Sequence, residues 1–145
     1  AAEVWDLYEP LAEDRGLSCA LSVQPGLNVL GDRNLIAQML ANLLDNAIKY
    51  CVAGDALTLT LQEAGEWHLL TIADTGPGLS TEVYEHLFEP FFTTKPQGLG
   101  LGLGLAISEQ ITRQFGGVLR ADNAPGGGAI FTIELQMATQ EEKHV

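Results

Sequence analysis

Apolar residues recur at steps of three and four between Leu35 and Ile48: Ile36, Met39, Leu40, Leu43, Leu44, Ala47 and Ile48. No Gly or Pro interrupts the run, and Leu, Ala, Met and Gln are good helix formers. The spacing therefore predicts a central helix with one face in a core. Val4 to Arg15 repeats the pattern through Val4, Trp5, Leu7, Tyr8, Leu11 and Ala12, with Pro10 expected at a kink or a helix start. Leu101 to Phe115 resumes it through Leu103, Leu105, Ile107, Ile111 and Phe115, and Gly116-Gly117 supplies a C-terminal stop. A short helix is expected from Ser80 through Leu87.

Alternation of period two marks the strands. Ser18 to Val23 reads as one and Asn28 to Leu30 as a short second, with Asp32 as N-cap of the central helix. Ala56–Glu63 and Trp67–Asp74 read as a hairpin turning at Ala64-Gly65. Val118–Ala121 and Ala129–Gln136 flank an Asn-Ala-Pro-Gly-Gly-Gly turn. Residues 88–100 show no period and read as a mobile loop, and Met137 to Val145 as a frayed polar tail. This order predicts an α+β fold, a mixed, mostly antiparallel sheet with helices on one face.

At 145 residues the chain is expected to be one domain with a single core. The apolar share of 46% and charged share of 18% are those of a globular protein. The apolar runs are too short to span a bilayer, and no signal peptide opens the chain. No direct membrane contact is therefore expected. Cys19 and Cys51 lack metal-type spacing and read as small core residues in a reducing compartment; the sequence leaves a disulfide between them open. A formal charge of −12 argues against nucleic-acid binding. An anionic ligand would have to be held by backbone N–H groups, a metal ion and one or two placed cations.

Candidate chemistry gathers in four stretches. Asn42, Asn46 and Lys49 share a second stripe of the central helix. Two carboxamides and an ammonium on one stripe suit a hydrated magnesium ion and its phosphates, although they also describe the solvated side of an ordinary helix. Asp74-Thr75-Gly76-Pro77-Gly78-Leu79 places an acid at a strand end, entering a glycine turn. A carboxylate accepts hydrogen bonds and suits an exocyclic amine such as that of adenine. Gly98 to Ala106 alternates Gly and Leu into a helix, where successive N–H groups can face a phosphate. No Gly-Lys-Ser/Thr follows, so it is not a Walker-type loop. Phe88-Glu89-Pro90-Phe91-Phe92-Thr93-Thr94-Lys95 could anchor a lid whose tip reaches a ligand.

In this order and spacing the four stretches resemble the catalytic ATP-binding domain of two-component sensor histidine kinases, within the GHKL ATPase superfamily. Asn42–Tyr50 is similar to the N box, Asp74–Leu79 to the first glycine box, Phe88–Phe92 to the F box and Gly100–Ala106 to the second glycine box. The resemblance covers about residues 1 to 136. It implies a two-layer α/β sandwich that binds ATP and Mg2+ and donates the γ-phosphoryl group to a histidine. Asp74 would take the adenine amine, with Gly76, Gly78 and Leu79 shaping that wall. Asn46, helped by Asn42, would hold magnesium, Lys49 would meet a phosphate and Tyr50 would line the site. Asn42, Asn46 and Lys49 would be the catalytic set. Gly100, Leu101, Gly102, Leu103 and Gly104 would close over the phosphates, and Thr93, Thr94 and Lys95 would belong to the lid. The Phe-Phe-Thr-Thr-Lys wording is closer to nitrogen-regulator and dicarboxylate-sensor kinases than to osmosensor types.

Two departures qualify the match. Gly98-Leu99 leaves the glycine-box register ambiguous by two residues, and the dimerisation and phosphoacceptor helices are missing. His68, His86 and His144 all lie outside the helical context that the family phosphorylates, and read as surface or structural residues. The implied partners are a phosphoacceptor histidine domain, of the same or a dimeric chain, and a downstream response regulator. The implied location is the cytoplasmic part of a sensor kinase, any membrane anchor lying in segments not in this sequence. Two rival classes are a hydrolysing GHKL machine and a nucleotide-binding interaction module. GHKL hydrolases commonly place a glutamate base where this chain has Asn42, so slow intrinsic hydrolysis is expected.

Overall fold

The computed structural model describes residues 2–24, 33–80, 85–86 and 104–136. Its elements are α1 (Ala2–Asp14), β1 (Ser18–Val23), α2 (Arg33–Tyr50), β2 (Ala56–Ala64), β3 (Trp67–Asp74), α3 (Gly104–Gln114), β4 (Val118–Asn123) and β5 (Ala129–Gln136). The expected Asn28–Leu30 strand, the Asp32 cap and the 88–100 loop fall outside the described residues, as does most of the short helix after Ser80.

The strands form one mixed sheet in the order β1-β2-β3-β5-β4. β1 runs parallel to β2, with Cys19 opposite Leu57 and Leu21 opposite Leu59. A parallel neighbour needs a crossover, and the chain that includes α2 provides it. The other pairings are antiparallel, β2 with β3, β3 with β5 and β4 with β5. The period-two pattern sets which side is buried. Leu57 and Leu59 of β2, Leu70 and Ile72 of β3, Phe131, Ile133 and Leu135 of β5 and Leu119 and Ala121 of β4 are all buried. The register stacks them on one face: Ile72 lies opposite Leu59 and Phe131, and Leu119 opposite Ile133.

The helices cover that face. Ile36, Met39, Leu40, Leu43, Leu44, Ala47 and Ile48, the stripe expected of α2, are all buried. α3 packs on α2 through small polar groups. Ser108 Oγ donates to the Met39 carbonyl at 3.4 Å, and the Thr112 hydroxyl bonds the Ser108 carbonyl at 2.8 Å and touches Met39 Sδ. Every one of these polar atoms has a partner, so the buried hydroxyls cost little. Gly116-Gly117 ends α3 as expected, their N–H groups bonding the carbonyls of Arg113 and Thr112.

Several boundaries differ from expectation by one or two residues. α1 begins at Ala2 and carries Pro10 in its interior. Buried Trp5 and Ala12 hold it on either side, and Trp5 Nε1 donates to Glu9 Oε2 across the turn before the proline, so packing overrides the missing N–H. The β2–β3 turn is at Gly65-Glu66, one residue later than expected. β4 continues to Asn123, because Asp122 and Asn123 pair with Ile130 and Ala129. The two cysteines are free thiols, Cys51 buried and Cys19 partly exposed.

His68 is the anomaly in the core. It is 2% exposed, on the helix-facing side of β3, opposite Leu135. Neither ring nitrogen has a hydrogen-bond partner. An unsatisfied buried polar group costs about 1–3 kcal/mol. We therefore expect His68→Leu to stabilise the fold, raising the thermal midpoint by several degrees. A lowered midpoint in calorimetry would show that the imidazole is needed where it stands.

Candidate functional site

Leu57, opposite Asp74 in the ladder, keeps the end of β3 under the helices, and the chain then leaves the sheet as Thr75–Leu79. Thr75 ties this departure to the start of β2: its N–H donates to the Ala56 carbonyl and its Oγ1 accepts the Ala56 N–H at 2.8 Å. Asp74 is half-buried. Its Oδ1 accepts the Gly76 N–H at 2.9 Å and the Ala129 N–H at 3.2 Å. One carboxylate oxygen thus joins its own turn to the first residue of β5.

The rest of the turn is stitched to the β4–β5 end. Asn123 Oδ1 accepts the Leu79 N–H at 2.6 Å, and its Nδ2 donates to the Leu79 carbonyl at 2.9 Å. The side-chain amide does for Leu79 what a neighbouring strand would do. Glycine is required at two points. Gly78 has φ +79°, and a Cβ there would sit 2.8 Å from Asn123 Oδ1. Gly128 has φ +93°, and a Cβ there would overlap the Asp74 carbonyl.

The third wall is the end of α2. The N–H of Cys51 continues the helix ladder to Ala47, and its side chain is buried against the Asp74 turn. Its thiol converges with the Asp74 and Asp55 carboxylates on Gly76: a Cβ built there would stand within 3.4 Å of all three. Asp55 closes the same corner: its Oδ2 accepts the Val52 N–H at 2.8 Å. Burial first, then the charges of Asp74 and Asp55, push the Cys51 thiol up to about 12, so it stays protonated at neutral pH.

Asn46 lies five residues before Cys51, about 7.5 Å back along the axis of α2. Asn42 is one turn further. Both are half-buried, and Asn42 Nδ2 is a buried donor with no partner. Lys49 and Tyr50 belong to the last turn of α2. Gly104 is the first residue of α3, one turn before Ser108 and its bond to Met39 of α2. Thr93, Thr94, Lys95, Gly100, Leu101, Gly102 and Leu103 lie outside the described residues. Asp74, Gly76, Gly78 and Leu79 therefore form one clamped turn, and the C-terminal end of α2 abuts it.

Sequence reading missed the groups that build this corner. Asn123 ends a strand 44 residues from the loop it clamps. Gly128, Asp55 and Cys51 had no motif to flag them, and Thr75, inside the Asp74–Leu79 stretch, was given no role. Among the described residues no group of three His, Cys, Asp or Glu side chains could hold a metal ion. No helix among them is long and apolar enough to cross a membrane.

Residues 31–139 match the family of histidine kinase-, DNA gyrase B- and HSP90-like ATPases. The C4-dicarboxylate transport sensor protein DctB of Rhizobium meliloti (strain 1021) is 42% identical over 117 residues, 78% of this chain and 18% of DctB. The catalytic domain of histidine kinase ThkA superposes with a TM-score of 0.83 at 31% identity, covering 93% of this chain and 88% of that one. Full-length ShkA in complex with AMPPNP superposes with a TM-score of 0.83 at 33% identity, covering 95% of this chain and 29% of ShkA. The chain spans less than a third of the length of the curated relatives it matches first. The sheet order, the clamped glycine turn and these likenesses agree: the chain belongs to the histidine kinase-, DNA gyrase B- and HSP90-like ATPase family, as the catalytic domain of a two-component sensor histidine kinase.

Proposed function

We propose that this domain binds Mg·ATP in the corner between α2 and the Asp74 turn and donates the γ-phosphoryl group to a histidine on a separate phosphoacceptor domain. The observation that carries this reading is the clamped Asp74 carboxylate beside the end of α2. Two main-chain donors take Oδ1. The second oxygen is then the acceptor for the exocyclic amine of adenine, and Gly76, Gly78 and Leu79 form the wall beneath the base. The complex of ShkA with AMPPNP, a nucleotide triphosphate analogue, supports the ligand class.

The polyphosphate falls to α2 and to the glycine run that ends at Gly104. The side-chain amides of Asn42 and Asn46 fit a magnesium ion that arrives with its phosphates. Magnesium keeps several waters and needs one or two protein oxygens rather than a cage. The unpartnered Asn42 Nδ2 fits an incoming phosphate oxygen. Bound magnesium would neutralise phosphate charge, which matters in a chain of net charge −12. From the family resemblance, Lys49 would add a cation, Tyr50 would line the site, and Thr93, Thr94, Lys95, Gly100, Leu101, Gly102 and Leu103 would be the lid residues. The domain thus positions the phosphoryl donor and neutralises its charge, and the nucleophile comes from elsewhere. His68 is sealed in the core. The downstream partner in this reading is a response regulator.

Calorimetric titration tests the site. Asp74→Asn keeps an oxygen for the two amides but turns an NH2 toward the adenine amine, so ATP affinity should fall roughly 10- to 100-fold, the scale of a charged hydrogen bond. Asn46→Ala should abolish most of the magnesium dependence of ATP binding. Unchanged affinity in both variants would dismiss the reading.

Labelled ATP tests the division of labour. The domain alone should remain unlabelled and hydrolyse ATP slowly, because an amide at position 42 cannot take a proton from water. Asn42→Glu should raise hydrolysis; a stable phosphohistidine on the unmodified domain would contradict the proposal.

Gly128→Ala tests the clamp. Displacing the Asp74 carbonyl should weaken ATP binding at least as much as Asp74→Asn does and lower the melting temperature as well. A variant that binds ATP normally would show that the β5 end does not hold Asp74.

A further inference from the structure

Cys51 occupies an unusual place for a buried thiol. It is 3% exposed and belongs to the apolar core, yet two carboxylates stand at its edge. A Cβ on Gly76 would stand 3.3 Å from Cys51 Sγ, 3.2 Å from Asp74 Oδ1 and 3.4 Å from Asp55 Oδ2. The thiol and two carboxylates therefore converge on one glycine. The thiol thus lies beside the carboxylate that the function assigned above assigns to the nucleobase.

We propose that Cys51 is a positioning residue for nucleobase recognition: its S–H donates to the Asp74 carboxylate and holds that group turned toward the adenine amine. The role rests on Asp74 being the adenine acceptor. Main-chain amides fix Oδ1 but leave the carboxylate free to tilt about that anchor. A side-chain donor on a third element removes the tilt, because α2 is locked in the core through Ala47 and Ile48. The thiol is suited to this. Burial and its acidic neighbours keep it protonated, so it remains a donor at neutral pH. An S–H is also a weak donor, so it orients the carboxylate without using up its capacity to accept from a ligand. Asp55 is held by the Val52 N–H, which keeps the second carboxylate in the loop after α2.

The test compares Mg·ATP with Mg·ITP, which carries an oxygen in place of the exocyclic amine, by calorimetric titration of the whole domain. Cys51→Val retains bulk without a donor, Cys51→Ala removes both, and Cys51→Ser retains a donor. Val and Ala should each weaken ATP binding and reduce the preference for ATP over ITP by about three- to tenfold, the scale of one weak donor on a charged acceptor. Ser should hold the preference near that of the unmodified domain. Thermal unfolding of each variant reports packing separately from selectivity. If Val and Ala leave the preference unchanged while Asp74→Asn destroys it, Asp74 recognises the base and the role of Cys51 is overturned. If Ser loses the preference as fully as Val and Ala, the side chain acts through its shape and the proposal is again overturned. If Asp74→Asn itself leaves the preference unchanged, the adenine assignment fails and this inference fails with it.

Discussion

One carboxylate holds the functional end of this domain together. Asp74 Oδ1 accepts N–H groups from its own turn and from the first residue of β5. The thiol just past the end of α2 converges with that carboxylate on Gly76. Three segments that are distant in the chain therefore meet on one side chain. The geometry is demanding because a charge taken partly out of water must be matched by donors. The donors are main-chain groups, whose positions the sheet dictates. That makes the carboxylate a rigid fixture, the condition for reading a small polar difference on a ligand.

The backbone around it is correspondingly intolerant. Gly128 lies so close to the Asp74 carbonyl that no side chain fits, and Gly78 presses on Asn123 in the same way. Asn123 then supplies both halves of a strand-like pairing to Leu79. The turn is irregular but not loose. Its polar groups are satisfied by neighbours in place of a regular ladder, as an irregular segment near a protein interior requires.

α2 serves two ends at once. Its apolar stripe is buried on the sheet, and its asparagines lie on a half-buried stripe beside it. Burying one stripe fixes the rotation of the helix, and that rotation directs the other. The unpartnered Asn42 Nδ2 and the unpartnered His68 ring show opposite cases of incomplete hydrogen bonding. The first borders the proposed phosphate site, where a ligand can complete it. The second lies in the core away from that site, where no role offsets its cost.

Local physics made much of this legible from residues alone. The period of 3.6 in α2 and α3 and the period of two in β2, β3 and β5 each name a buried face, because burial is the main force selecting those positions. The boxes around Asn42 and Asp74 could be named because backbone freedom and acceptor chemistry leave their mark on residue type. Pro10 lies inside α1, where two buried anchors outweigh one absent N–H. What the tertiary structure alone decided is the company the Asp74–Leu79 turn keeps: Ala129 and Asn123 from the far hairpin, and Cys51 from the end of α2. Those contacts depend on the order in which strands pair, and a linear pattern records which face is buried but not which distant residue arrives beside it.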